Sequence, residues 1–354
     1  MKPEDFLSLS EFESIAPEHM SPMALSYVSG GAADELTMRA NSEDWKRLRL
    51  NPRVLVDVSQ ISTETELFGH KMETPILLAP AAFHRLFHAE AELATVAGAN
   101  QAHAVTVLSS YSTEAVENVT AAAKYPVWFQ LYTQMDRELT REMVERAQAA
   151  GCQALCVTVD TPVLGARHRE ARSHFNLPVD FKLPNLNLGA VSHRPPQGAI
   201  YSALLNPKLT WKDIEWLRSI AKVPVLLKGV MNPDDALQAA HSGVDGLIVS
   251  NHGARNLDTL PSTAEALPRI AEKLQGELPL LVDGGIRRGT DVVKAIALGA
   301  SAVLVGRPYL YALAVAGAAG VARVMEILKT ELEMAMALTG RTTIKQIDKS
   351  VLWE

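Results

Sequence analysis

The chain is predicted to be an α/β protein folded as a closed (β/α)8 barrel, on three observations. Eight short apolar runs recur from residue 75 onward, each followed by a longer amphipathic segment, the pattern of repeated βα units around a parallel sheet. Nearly every run ends in a polar or small residue, at the strand end where such barrels gather their functional groups. The stretch from residue 75 to the end is about 280 residues, a typical barrel size, and eight strands fit closure better than an open sheet.

The first four runs are Ile76-Leu77-Leu78-Ala79, Val105-Thr106-Val107-Leu108, Val127-Trp128-Phe129-Gln130-Leu131 and Ala154-Leu155-Cys156-Val157-Thr158. The last four are Val225-Leu226-Leu227-Lys228, Gly246-Leu247-Ile248-Val249, Leu278-Pro279-Leu280-Leu281-Val282 and Ala302-Val303-Leu304-Val305. Pro279 cannot donate to a ladder, but it lies at the start of its run, where proline is tolerated. Gly151, Gly243 and Gly299 fall where helices end and a positive φ is useful. Residues 1–74 are expected to form a largely helical N-terminal segment packed on the barrel, with 1–354 a single domain. After the fourth run, about 50 residues from Thr161 to Thr210 precede the next helical start at Trp211, and loops of that length are functional or disordered. The segment 161–210 is rich in Pro, Asn and His and reads as a lid over the barrel mouth, with a passive surface insertion as the alternative.

Composition sets the outer bounds. The chain has 354 residues, 47% hydrophobic and 21% charged, with a formal net charge of -6, so a globular protein is expected and nucleic acid is not an expected partner. No uninterrupted apolar stretch approaches bilayer length, and the start Met1-Lys2-Pro3-Glu4-Asp5 is acidic, so no membrane partner is expected and a cytoplasmic location is. Cys152 and Cys156 are too few for a disulfide framework and have no His/Cys neighbours at metal-ligand spacing. They read as core thiols, and no metal is expected.

The polar strand ends carry the chemistry. The first run leads into Pro80-Ala81-Ala82, the second into Ser109-Ser110-Tyr111, the third into Gln130-Leu131-Tyr132 and the fourth into Thr158-Val159-Asp160. The fifth ends Lys228-Gly229, the sixth Ser250-Asn251-His252, the seventh Asp283-Gly284-Gly285-Ile286-Arg287 and the eighth Gly306-Arg307. Glycines let a backbone approach an anion, and barrels commonly place phosphate at their last two loops; glycine turns beside solvated arginines are the plain alternative. A phosphate there, with Gln130, Thr158 and Lys228 at neighbouring ends, suggests a phosphorylated ring cofactor lying across the mouth. Flavin mononucleotide (FMN) fits, with Lys228 placed to offset negative charge on the ring.

His252 and Arg255 fall on the loop leaving the sixth strand, and alone they read equally as a buried histidine and a surface arginine. Asp160, at the end of the fourth strand, would orient the imidazole and raise its basicity, so the pair could serve as a general base. Arg167 and Arg255 suit a carboxylate bound in bidentate geometry, with Tyr27 and Tyr132 offering hydroxyls; any one of these charges could instead sit in a surface ion pair.

At these residues the chain resembles the FMN-dependent 2-hydroxy-acid oxidase and dehydrogenase family, which includes glycolate oxidase, lactate oxidase and mandelate dehydrogenase. The likeness runs nearly end to end through Ser29-Gly30-Gly31-Ala32, Leu78-Ala79-Pro80, Phe129-Gln130-Leu131-Tyr132 and Thr158-Val159-Asp160-Thr161-Pro162. It continues through Lys228-Gly229, Ser250-Asn251-His252-Gly253-Ala254-Arg255, Asp283-Gly284-Gly285-Ile286-Arg287-Arg288-Gly289 and Gly306-Arg307-Pro308.

The resemblance implies that His252 is the base paired with Asp160, that Arg167, Arg255 and Tyr27 hold the carboxylate, and that Tyr132 contacts the substrate hydroxyl. It carries the flavin contacts to Ala81, Ser109, Gln130, Thr158, Lys228, Ser250, Asp283, Gly285, Arg287, Gly306 and Arg307. It further implies oxidation of an L-2-hydroxy acid to the 2-oxo acid in a homo-oligomer, a tetramer. Whether the α-hydrogen leaves as a proton or as a hydride stays open.

Tyr111 stands at a substrate-facing position where the plant glycolate enzymes have tryptophan, and Ala166 replaces a second basic residue beside Arg167, so substrate chain length stays open. With no haem domain and no apolar insert in the lid, an oxidase passing electrons to O2 and releasing hydrogen peroxide is expected over a quinone-linked dehydrogenase. Ala82, small and near the expected flavin face, is compatible with that preference. A flavin-dependent isomerase on a similar barrel would not need the Arg167, Arg255 and Tyr132 set. A non-catalytic phosphate-binding barrel would not need His252 and Asp160.

Overall fold

The computed structural model describes residues 2–178, 181–186 and 199–353. Three helices come first: α1 (Leu9–Ile15), α2 (Pro22–Ser29) and α3 (Leu36–Arg47). A hairpin of β1 (Thr65–Leu67) and β2 (His70–Met72) follows. The barrel then opens with β3 (Ile76–Leu78), α4 (Ala91–Gln101), β4 (Thr106–Ser109), α5 (Val116–Ala122), β5 (Val127–Leu131), α6 (Arg137–Ala149) and β6 (Leu155–Thr158). After the short α7 (His168–Arg172) come α8 (Trp211–Ile220), β7 (Val225–Val230), α9 (Pro233–His241), β8 (Gly246–Val249) and α10 (Thr263–Leu274). The chain closes with β9 (Leu280–Val282), α11 (Gly289–Ala297), β10 (Ala302–Val305) and α12 (Arg307–Leu338).

The strands β3 to β10 form a closed parallel barrel in sequence order, sealed by β10 pairing with β3. Each coincides with one of the eight apolar runs, and Pro279 sits just outside β9. Because side chains alternate across a strand, the barrel sorts its residues into two apolar bodies. Leu77, Val107, Trp128, Cys156, Leu226, Ile248, Leu281 and Leu304 pack together in the bore. Their neighbours Leu78, Leu108, Phe129, Val157, Leu227, Val249, Val282 and Val305 belong to the other body, shared with the surrounding helices.

The N-terminal segment departs from the largely helical expectation. It is helical only as far as Arg47, then extended, and ends in the β1–β2 hairpin. Leu67, Phe68 and Met72 of that hairpin join the bore cluster, and Phe68 meets Trp128 edge-on with ring centroids 5.7 Å apart. The hairpin thus plugs the end of the barrel at which the strands begin. Its two-residue turn places Phe68 at φ 51° and Gly69 at φ 80°, the positive pair that a type I′ turn needs. Asn or Asp is the usual sign of such a turn; here a half-buried phenylalanine takes the strained position and packs edge-on against Trp128.

A second departure concerns α12. It is long and apolar enough by length and composition to cross a bilayer, contrary to the expectation that no stretch approaches that length. More than half of its apolar window is buried, and the helix breaks at Ala316 and Gly317, where φ is 57° at the glycine. Its second half lies so close to α4 that a Cβ on Gly98 would fall 2.4 Å from the Ala318 carbonyl oxygen. A helix apolar on several faces here is a core helix packed on its neighbours.

The lid expected over residues 161–210 falls partly outside the described residues. Its described parts are tied to the barrel rim: Asn185 Oδ1 accepts from the Val116 amide at 2.9 Å, and the Tyr111 hydroxyl donates to the Leu204 carbonyl. Asn206 Nδ2 donates to the Gln134 carbonyl at 3.2 Å.

Trp128 is fully buried and joins the plug to the layer above it. Trp128→Ala is expected to lower unfolding free energy by about 3–5 kcal/mol, read from chemical denaturation, with Trp128→Phe losing much less. A small loss in Trp128→Ala would mean that the bore collapses around the hole.

Candidate active site

One further step along each strand's inward series reaches the mouth of the barrel, and there the residue type changes. Above Leu77 stands Ala79, above Val107 Ser109, above Trp128 Gln130 and above Cys156 Thr158. Above Leu226 stands Lys228, above Ile248 Ser250, above Leu281 Asp283 and above Leu304 Gly306. These groups are linked sideways. Ser109 Oγ donates to Gln130 Oε1 at 3.1 Å, and Gln130 Nε2 donates to Thr158 Oγ1 at 2.9 Å. Lys228 Nζ donates to Ser250 Oγ and pairs with Asp283 Oδ2, both at 2.9 Å. Burial works against the Lys228 charge, but Asp283 and then Asp160 more than offset it and hold its pKa above the ordinary lysine value. Asp283 keeps its other oxygen buried and without a protein partner. The apolar bore is therefore capped by a fixed layer of donors and acceptors with a permanent cation in it.

At the edge of this layer β8 ends in an unusual turn: His252, Gly253 and Ala254 have φ of 59°, 60° and 61°. Left-handed backbone costs about 1–2 kcal/mol for each non-glycine residue, and the surroundings offset it. The His252 amide donates to Ser250 Oγ at 3.0 Å, and the Ala254 carbonyl accepts from the Ala32 amide at 2.8 Å. Asn251, between them, exchanges two side-chain hydrogen bonds of 2.8 Å with Asn41 of α3. The N-terminal segment thus holds the turn at the end of β8.

The turn presents the imidazole across the mouth to the end of β6. His252 Nδ1 lies 2.9 Å from Asp160 Oδ1, and Nε2 lies 3.3 Å from the Tyr132 hydroxyl. Thr161 Oγ1 donates to the same Asp160 oxygen at 2.9 Å, and Asn256 Nδ2 donates to the Asp160 carbonyl at 2.9 Å. Gly229 makes room for this carboxylate: its φ is 107°, and a Cβ there would lie 2.5 Å from Asp160 Cγ. Burial lowers the His252 pKa, and its attraction to Asp160 only partly restores it. Against its own burial, Asp160 is held below the ordinary carboxylate value by His252 and by Lys228. A neutral imidazole with Nδ1–H directed at an ionised carboxylate leaves Nε2 unprotonated, an acceptor facing the Tyr132 hydroxyl, the state a general base requires. Tyr132, raised by burial and then by Asp160, stays protonated as a donor.

Arg167 and Arg255 line the same cleft. Arg255 lies with Cζ 4.7 Å from the centre of the Tyr27 ring, which stacks on Phe175 at 4.8 Å. The Tyr111 and Tyr132 rings meet tilted at 31°, with centroids 4.7 Å apart. Farther along, Gly284 and Gly285, each at φ 88°, and Gly306 border a corner with Arg287 and Arg307. Arg307 is pinned by the Val28 and Gly30 carbonyls at 2.8 and 2.9 Å. Burial, followed by the neighbouring Arg255 and Arg287, pulls its pKa down to about 10. Guanidiniums gathered at a cleft, both only partly exposed, call for an anion. A flat layer of hydrogen-bonding groups beside an uncompensated cationic corner matches a heterocycle that carries a phosphate.

Every residue singled out from the sequence lies at this cleft. Ala81, Ser109, Gln130, Thr158, Lys228, Asp283, Gly285, Arg287, Gly306 and Arg307 line it together with Tyr27, Tyr111, Tyr132, Arg167, His252 and Arg255. Asp160 and Ser250 stand one shell back, behind His252 and beneath Lys228. Sequence reasoning did not single out Thr161 and Asn256, which brace Asp160, nor Asn41 or Glu170. Thr161 stands inside one of the sequence motifs without a role of its own and Asn256 directly follows another; Asn41 and Glu170 gave no local signal.

The chain matches the model of the FMN-dependent dehydrogenase family over residues 16–354. It is 46% identical to an L-lactate oxidase of Nostoc sp. over 98% of both chains. It is 44% identical to a 2-hydroxyacid oxidase of Dictyostelium discoideum, over 99% of this chain and 91% of that one. Among solved structures, a mandelate oxidase with (S)-4-hydroxymandelic acid superposes with a TM-score of 0.92 at 37% identity, covering 98% of each chain.

Asn41→Leu would remove two of the hydrogen bonds of the buried Asn251 amide, leaving it only the longer contacts with the Pro261 carbonyl and the Ala254 amide. It is expected to cost about 1–3 kcal/mol of stability, the usual penalty where a buried polar group loses a partner, measured by denaturant unfolding. No change would show that Asn251 is satisfied by other groups.

Proposed function

The chain belongs to the FMN-dependent dehydrogenase family, and on that premise we propose that it oxidises an L-2-hydroxy acid to the 2-oxo acid, with O2 as electron acceptor and hydrogen peroxide as product. The observation that carries this reading is His252 Nε2 facing the Tyr132 hydroxyl at 3.3 Å, in a cleft that Arg167 and Arg255 also line. A base, a hydroxyl donor and a carboxylate clamp are what a small 2-hydroxy acid requires. The relatives named for lactate and 2-hydroxy acids support the substrate class, and their naming as oxidases supports O2.

FMN, when bound, takes up the two electrons released by the substrate. Its ring would rest on the layer from Ser109 to Asp283, with its phosphate at Gly285, Arg287, Gly306 and Arg307. In this reading Arg167 and Arg255 fix the substrate carboxylate, and Tyr27 supports the clamp from its side. Tyr132 donates to the substrate hydroxyl. His252 takes a proton at Nε2, and the ionised Asp160 stabilises the imidazolium that forms. Lys228, held protonated by Asp283, offers a fixed positive charge beside the ring. Tyr111, roofing Tyr132, and Leu205 of the lid border the space for the substrate's side chain.

The purified protein is expected to be yellow, to bleach anaerobically with an L-2-hydroxy acid but not with its D enantiomer, and to recover in air with peroxide release. Glycolate, lactate, longer 2-hydroxy acids and mandelate make the substrate panel. A colourless protein that FMN cannot reconstitute would overturn the proposal.

His252→Gln is expected to keep its flavin while turnover falls by about 10²–10⁴-fold, the usual contribution of a general base. Protonation inactivates the base, and burial depresses its pKa. The acid limb of kcat/KM in the wild type should therefore fall below the ordinary histidine value and should vanish in the variant.

A further inference from the structure

We propose that Glu170 is the built-in counter-charge of the substrate clamp. It holds the carboxylate subsite at one net positive charge and so selects substrates with a single carboxylate. The inference rests on the reading of Arg167 and Arg255 as that clamp, and adds to it a residue that does not line the cleft.

Glu170 sits in α7 with its side chain almost wholly buried, at 4% exposure. Its Oε1 accepts from Arg255 Nη2 at 2.8 Å and lies 3.5 Å from Arg167 Nη1. Among the described residues no other carboxylate comes within ion-pairing distance of either guanidinium. The remaining contacts of the two arginines are neutral. Arg255 Nη1 donates to the Tyr27 and Gly30 carbonyls, and Arg167 Nε donates to the Arg255 carbonyl at 3.2 Å. Two buried cations and one buried anion therefore make up the charge of this wall.

That sum determines what the wall can accept. Two guanidiniums alone would repel each other, and Arg255 already lowers the Arg167 pKa beyond the effect of burial. Glu170 removes half of the excess from behind, leaving one positive charge for one incoming carboxylate. A dianion would bring a surplus negative charge to the clamp, and among the described residues no further cation lines the cleft beside Tyr111, Leu164 and Leu205. Charge balance at the clamp thus discriminates by the number of carboxylates, independently of the length of the side chain.

Lactate and tartronate differ by a methyl group exchanged for a carboxylate, which makes them a matched pair for the test. In the flavin-loaded enzyme, Glu170→Gln is expected to raise the ratio of kcat/KM for tartronate over lactate by about tenfold or more. Glu170→Asp retracts the charge without removing it, and should shift the ratio in the same direction by a smaller factor; it also serves if the glutamine variant does not fold. Calorimetric binding of malonate against propionate should show the same relative shift without turnover. Equal losses for both members of each pair, with the ratios unchanged, would reduce Glu170 to a packing residue and overturn the inference. A wild-type enzyme that bleaches with no hydroxy acid would instead overturn the proposed function, and the malonate and propionate arm would still decide the role of Glu170.

Discussion

The site depends on one geometric constraint: side chains on a strand alternate with a period of two, and closing eight parallel strands aims one set of alternates at a common axis. Below the mouth that set is apolar and is sealed from the other end by Leu67, Phe68 and Met72 of the hairpin. One step higher it becomes Ser109, Gln130, Thr158, Lys228, Ser250 and Asp283. A one-residue slip in any strand would send its polar member outward into the helix layer and bring an apolar one into the mouth. The same packing that stabilises the bore therefore fixes the lateral order of Lys228, Ser250 and Asp283, whose bonds of 2.9 Å leave the lysine no freedom to drift. Precision at the mouth is a property of the whole barrel.

The turn at the end of β8 shows what such placement costs. Three consecutive residues in left-handed conformation, two of them not glycine, would not persist in an isolated loop. They persist here because Asn41 holds Asn251 and because Ala32 and Ser250 take up backbone groups on either side. Trp45 of the same helix donates to the Gly284 carbonyl at 2.9 Å, so α3 braces both the His252 turn and the glycine corner. The segment before the barrel is part of the active-site scaffold.

What was legible in the sequence follows from the range over which each signal acts. The eight strands and their polar ends are local patterns, and all of them could be read. The lining residues followed because inward position is itself periodic. The β1–β2 hairpin escaped because its strands have three residues each and its turn uses Phe68 where Asn is usual; the packing partner, Trp128, lies 60 positions away. Asn41 and Glu170 escaped for a related reason. An asparagine in a polar helix and a glutamate among arginines carry no local mark. Their meaning comes from Asn251, 210 residues on, and from Arg255, 85 residues on.

The two arginine groups of the cleft obey different electrostatic rules, and the difference matches the residence time of what each would hold. At the glycine corner, burial and then the neighbouring Arg255 lower the Arg307 pKa, and the described residues show no carboxylate in ion-pairing contact with it. Uncompensated charge of that kind is stable only with an anion that stays, as the phosphate of a resident cofactor does. At the clamp, Glu170 already satisfies part of the demand, so release of a carboxylate exposes one net positive charge rather than two. Tight retention and rapid turnover place opposite requirements on a cation, and the barrel meets them by supplying an acid on one side of the mouth and withholding it on the other.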